Sequence, residues 1–165
     1  MTSFVRRILF AAKATAVIVP GVALAQVRVS VGAGAGIAGG TDASLSEGRS
    51  APVVMGQVST SALVGVGAEV DGWRRGGSSV SVASGDLQLH PPSTSLFIKL
   101  GGGFGRGDPD GKGTISGTAA HIGAAYDVHV PAPRVALTLF GNGFVVYASS
   151  RSLQMVDGGL AITWR

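Results

Sequence analysis

Not one of the 165 residues is cysteine. That single absence excludes a disulfide-stapled fold, a cysteine-based zinc site and a lipid-modified N-terminal cysteine. Charge is scarce too. Only 13% of residues are charged against 45% hydrophobic, which is too apolar for an ordinary soluble domain. Long apolar runs are missing as well: the best, Ala14 to Ala25, is shorter than the roughly 20 residues a helix needs to cross a bilayer. Lipid offers the backbone no hydrogen-bond partners, so a chain without membrane helices can live there only as a closed β-barrel.

What is present begins with a leader. Arg6 and Arg7, an apolar stretch, and Ala23-Leu24-Ala25 ahead of Gln26 form the pattern of a cleaved signal peptide over residues 1–25, leaving 26–165 as one domain. Arg6, Arg7 and Lys13 all fall in that leader. Without them the basic residues fall from 13 to 10 (13 − 3) and nearly balance the nine acidic ones. No basic stripe with interleaved aromatics remains, so nucleic acid is not an expected partner.

From Gln26 onward, short segments rich in Val, Ile, Leu, Thr and Gly alternate with period two and close on turn residues. Eight such segments are delimited: Val27 to Ala38, Val53 to Thr60, Leu63 to Trp73, Val80 to His90, Leu96 to Phe104, Thr114 to Val130, Val135 to Tyr147 and Leu153 to Trp164. They predict an all-β fold, an eight-stranded antiparallel up-and-down transmembrane barrel. The links at Ser61-Ala62, Pro91 to Ser95 and Pro131 to Arg134 are short, while 39–52, 74–79 and 105–113 are longer, as for inner turns and outer loops. Ala148 to Ser152 is an outer link shorter than its peers.

The alternation also assigns faces. Val27, Val29, Val31 and Ile37 oppose Arg28 and Ser30; Val64, Val66, Ala68 and Val70 oppose Glu69 and Asp71; Leu96, Ile98, Leu100 and Phe104 oppose Lys99. In the sixth segment Ala120, Ile122, Ala124, Tyr126, Val128 and Val130 oppose His121, Gly123, Ala125, Asp127 and His129. The apolar sets suit lipid and the others a polar lumen. Charges there must be paired, so Arg28, Glu69, Asp71, Lys99 and Asp127 are expected to form an internal network beside His121, with Gly65, Gly67, Gly101 and Gly103 making room. Val80 and Val82 have the opposite parity to Leu87 and Leu89, which predicts a bulge near Ser84-Gly85. The seventh segment is apolar on both faces around Phe140 and Phe144, and a soluble sandwich strand would look the same.

Three chemical motifs fail their context. Gly34-Ala35-Gly36-Ile37-Ala38-Gly39 fits the dinucleotide fingerprint, but no helical pattern follows. Asp108-Pro109-Asp110-Gly111-Lys112-Gly113 resembles half of a calcium loop, with Lys at the fifth position and Ala119 where the twelfth needs Glu. Asp108 and Asp110 are better read as an exposed outer loop available for interaction. His121 and His129 are eight residues apart on one strand, roughly 26 Å, too far to share an ion. No metal and no cofactor are expected.

Leader, meander and final strand together resemble the small bacterial outer-membrane β-barrel family, the OmpX-like and OmpA-transmembrane-like proteins, over Val27 to Arg165. The most specific piece is Gly158-Gly159-Leu160-Ala161-Ile162-Thr163-Trp164-Arg165, whose alternating apolar residues reach an aromatic one position before the end. In that family such a strand is the signal read by the barrel-assembly machinery, so the resemblance implies that partner through Trp164, alongside outer-membrane lipid. Trp73, Phe104, Tyr147 and Trp164 fall near strand ends, as interface anchors should.

The function expected is that of a non-enzymatic integral outer-membrane barrel with a structural or surface-interaction role, its lumen filled by polar side chains. The alternatives are a narrow channel for small solutes, a lipid A-modifying barrel enzyme, for which no His-x-Ser pairing is seen, and a soluble periplasmic β-sandwich.

Overall fold

The computed structural model describes residues 26–40, 49–108 and 113–165, so the leader expected over residues 1–25 lies outside the described residues. Eight strands run in chain order: β1 (Val27–Gly40), β2 (Arg49–Thr60), β3 (Val64–Arg75), β4 (Ser78–Leu89), β5 (Leu96–Asp108), β6 (Ile115–His129), β7 (Val135–Tyr147) and β8 (Ser152–Trp164). Each pairs antiparallel with its sequence neighbours, and β8 closes on β1. The chain is therefore an eight-stranded up-and-down barrel, and one closed sheet leaves no place for the sandwich alternative. Gly34 to Gly39, the dinucleotide-like stretch, runs extended inside β1.

Several expectations about detail need correction. β4 alternates buried and exposed without a break, and its register with β3 and β5 is continuous, so no bulge occurs at Ser84-Gly85. Val80 and Val82 point into the lumen and Leu87 and Leu89 point outward. The parity change is real, but it is the lumen that changes character. The contrast in link length also fails: β3 and β4 extend until only Gly76-Gly77 joins them, where the expected loop spans 74–79. Gly76 takes φ 57°, the left-handed conformation a two-residue hairpin turn needs and other residues resist. Trp73 is not an interface anchor. It lies in the lumen, 1% exposed, donating its indole N–H to Gly36 O at 3.0 Å. Phe104, Tyr147 and Trp164 do face outward. In β7, Phe140 and Phe144 turn inward and Leu139 outward. His129 is exposed at the rim rather than inside.

The register sets the geometry of the wall. From Val29 it leads through Val58, Ala68, Gly85, Gly102, Ala120, Val145 and Gln154 back to β1 at Gly39, ten positions further along. That offset over eight strands tilts them by about 40° and makes each residue climb about 2.5 Å along the barrel axis. A Cβ on Gly34 would lie 2.0 Å from the Gly158 carbonyl oxygen, so the wall at β1–β8 depends on glycine there.

With the tilt allowed for, outward positions sort by height. From the rim where β1 begins and β8 ends (the near rim), they are apolar, glycine or aromatic up to the level of Phe104 and Val145, with Thr60 the exception. This belt is about ten residues, or about 25 Å, tall, the height of the apolar band of membrane barrels. Above it, toward the far rim, the outward residues turn polar: Ser50, Arg74, Ser79, Ser81, Arg106, Ser116, Thr118, Ser152 and Gln154, with Ile37 and Tyr147 among them.

Candidate functional site

The lumen is the place where charge and polar chemistry concentrate, and it is built in three tiers. The tier at the near rim holds Arg28, whose Nη2 donates to Asp127 Oδ1 at 2.9 Å and Oδ2 at 2.7 Å while its guanidinium lies 4.9 Å over the Phe97 ring. Arg165 reaches back from the end of β8 and donates to the same Oδ2 at 2.7 Å. Thr138 donates to Asp127 Oδ1 at 2.6 Å, touches Thr163 at 2.7 Å, and Thr163 touches Ser30 at 2.8 Å. Each hydroxyl has one proton, so once Thr138 gives its own to the carboxylate, Thr163 must donate to Thr138 and Ser30 to Thr163. The chain of bonds crosses β6, β7, β8 and β1 and fastens the closing seam of the barrel. A polar vestibule of about 290 Å³ opens at this rim, lined in part by Arg28, His90, Asp127 and Arg165. His90, in the link after β4, stacks on Phe97 at 4.8 Å between centroids. Burial lowers its pKa below the usual histidine value, the nearby Arg28 cation adds to that, and Asp127 opposes it.

The middle tier is acidic. Lys99 pairs with Glu69 Oε2, which also accepts from Gln57 Nε2 at 2.8 Å. Asn142 donates to Asp71 Oδ1 at 3.5 Å, and Gln88 donates to Asp86 Oδ2 at 2.8 Å. Among the described residues, Glu69, Asp71, Asp86 and Asp157 share this tier with one lysine and His121. Gly123 makes the lysine possible, since a Cβ there would stand 2.9 Å from Lys99 Cε. The six residues expected in a lumen network, Arg28, Glu69, Asp71, Lys99, His121 and Asp127, are all buried inside, but in two clusters. Asp71 is met by an amide rather than a cation. Sequence reading missed Asp86, Asp157, Gln57, Gln88, Asn142, Thr138, Thr163 and Arg165. Asp86 was recoverable: without the supposed bulge, strict alternation in β4 puts Ser84, Asp86 and Gln88 on one face.

The far tier corrects the expectation of a lumen that is polar throughout. Ala38, Ala51, Val53, Trp73, Val80, Val82, Ile115, Ala119, Phe144, Val146, Leu153 and Met155 form one buried apolar cluster that starts level with the top of the belt, at Val53, Val82 and Phe144, and continues to the height where the outer surface is polar. The barrel thus inverts along its axis. Within the belt it is apolar outside and holds the charged tiers inside, around a smaller buried apolar cluster of Met55, Phe97, Ala125, Phe140 and Ala161; beyond the belt it is polar outside and apolar inside, as a barrel in water must be.

Ser84 Oγ lies 3.3 Å from His121 Nδ1, and His121 Nε2 lies 3.8 Å from Glu69 Oε1, the residue types of a hydrolase triad. All three are buried beneath the apolar tier, the Glu69 carboxylate already serves Lys99 and Gln57, and His121 is stacked on Phe144 at 4.5 Å. A substrate would have to pass that tier, or the Arg28–Asp127 tier from the near rim, to reach the serine. Polar packing accounts for the arrangement. Among the described residues no group of three or more histidines and acids is placed to hold a metal. Asp108 ends β5 and accepts the Gly113 N–H at 3.1 Å, whereas Asp110 lies outside the described residues.

A closed antiparallel meander of eight strands, apolar on its belt, defines the fold of the small outer-membrane barrels. Solved structures with this fold include Neisserial surface protein A, with TM-score 0.60 at 9% identity over 84% of this chain and 96% of that one. Ail, the attachment invasion locus protein of Yersinia pestis, matches with TM-score 0.54 at 14% identity over 86% and 100%. The N-terminal β-barrel domain of Pseudomonas aeruginosa OprF matches with TM-score 0.50 at 13% identity over 86% and 100%. At such identities the likeness is one of fold. No protein-family model and no curated protein sequence matches the chain.

Proposed function

We propose that the protein is an integral outer-membrane barrel without enzymatic activity, exported by its leader and assembled through the strand that ends in Trp164. Its near rim faces the periplasm, its far rim faces outward, and its lumen is sealed. Its role is structural or lies in contacts made by the far rim and the links there. The observation that carries this reading is the inversion: a belt about 25 Å tall around a lumen that holds the buried charges, capped by an apolar tier in which Val146, Leu153 and Met155 are fully buried. Water and ions crossing the barrel would have to breach that tier. The likeness to a Neisserial surface protein and an attachment protein supports a surface role.

Two measurements test it. Cell fractionation with gel mobility of heated and unheated samples should place a heat-modifiable band in the outer membrane; recovery from the soluble periplasm would overturn the membrane assignment. Planar-bilayer recording of the purified barrel should show no steady ion-conducting steps, and regular steps would favour the channel reading instead.

A further inference from the structure

The polar collar above the belt is not uniform in charge. Arg74 on β3 and Arg106 on β5 are the only arginine or lysine residues at outward strand positions among the described residues, and both are exposed. Their heights differ by less than one residue once the tilt is allowed for, and both stand about one residue above the top of the belt. Arg74 is paired in register with Ser79, and Arg106 with Ser81 and Ser116. Across the intervening β4 their Cα atoms are about 12 Å apart, within reach of two extended side chains converging on one group. Other far-rim arginines are engaged: Arg75 donates to Ser50 O at 2.9 Å and Arg151 to Gly113 O at 3.4 Å. The guanidiniums of Arg74 and Arg106 make no hydrogen bond or ion pair among the described residues. Between them lie Ser79 and Ser81, the latter donating its hydroxyl to Arg106 O at 3.4 Å, and directly beneath lie Val70, Gly72, Ala83 and Phe104 of the belt.

We infer that this patch holds the phosphate-bearing headgroup of an anionic lipid in the leaflet that meets the far rim. The chemistry is complementary at both ends of such a lipid. Two guanidiniums and the Ser79 hydroxyl face the phosphate, and the acyl chains continue down the apolar wall below. A free anion would use only the upper half, and a protein partner would need a reason to sit on the edge of a lipid belt. The inference rests on the membrane placement proposed above.

The test uses the folded barrel in nanodiscs of phosphatidylcholine with a minor share of phosphatidic acid, with lipid bound to the released barrel counted by native mass spectrometry. Incorporation into the discs is scored first by heat-modifiable mobility. A barrel that fails to incorporate overturns the membrane placement and this inference together. For the incorporated barrel, phosphatidic acid should be enriched over phosphatidylcholine. Each of Arg74→Gln and Arg106→Gln should reduce the enrichment about fivefold, the effect expected for one basic residue near an anionic surface. Arg134→Gln, in the near-rim link, should leave it unchanged. Inorganic phosphate added to the discs that contain phosphatidic acid should not displace the bound lipid, which separates a lipid headgroup from a free anion. Equal enrichment in the Arg74→Gln/Arg106→Gln protein, equal loss in Arg134→Gln, or competition by free phosphate would overturn the inference while leaving the membrane placement intact.

Discussion

Replacing Lys99 by methionine removes the one lysine of the middle tier and separates a dry lumen from a wet one. Lys99 and Glu69 are each 1% exposed, and Asp71, Asp86 and Asp157 surround the pair. Breaking a buried pair from one side leaves an uncompensated charge and costs about 3–5 kcal/mol, whereas a hydrated pair contributes about 0–1 kcal/mol. Lys99→Met should therefore destabilise by about 3–5 kcal/mol if the apolar tier excludes water. Glu69→Gln combined with Lys99→Met removes both charges at nearly constant volume. It should return stability to within about 1 kcal/mol of the parent, because replacing a whole buried pair is often nearly neutral. The assay is urea unfolding in phosphatidylcholine vesicles, followed by gel mobility of unheated samples and by fluorescence of the two tryptophans. A loss below about 1 kcal/mol for Lys99→Met, with no rescue in the double variant, would refute the dry-lumen reasoning and with it the seal.

Leu100→Arg, in the middle of the belt, should cost about 2–4 kcal/mol in the same vesicles, whereas Ser81→Arg in the collar should cost about 0–1 kcal/mol; equal costs would show the belt to be misplaced. Trp73→Ala should lose about 3–5 kcal/mol, because it empties the largest side chain of the apolar tier and frees the Gly36 carbonyl, and urea midpoints at unchanged slope would measure it. His90 favours its neutral form when folded, so its contribution is fully present above the unfolded value near 6.5 and is lost as pH falls below it toward the lowered folded value. His90→Gln should flatten the stability profile in that acidic window, and a profile parallel to the parent would remove His90 from the account.

Strand number and most facings were legible because alternation is a local property. Neighbouring residues on a strand point to opposite sides whatever the rest of the chain does. Val27, Val29 and Val31 against Arg28 and Ser30, or Leu96, Ile98 and Leu100 against Lys99, need no knowledge of partners. In β4 the same rule misled: Val80 and Val82 looked out of phase with Leu87 and Leu89 because the apolar face was taken to be the lipid face along the whole strand. Likewise 74–79 read as a loop although Arg74, Arg75, Ser78 and Ser79 are ordinary strand residues beyond the belt.

The sequence by itself determined eight short alternating strands, with Arg28, Glu69, Lys99 and Asp127 on the faces opposite their apolar neighbours. Only the tertiary structure decided how those residues pair, where the belt ends, and that the lumen changes from charged to apolar above it. The physical reason is the ten-residue offset around the wall. Which residues share a height, and so which charges meet or which valines pack on Trp73, depends on the tilt and register of all eight strands together, and no single segment encodes it.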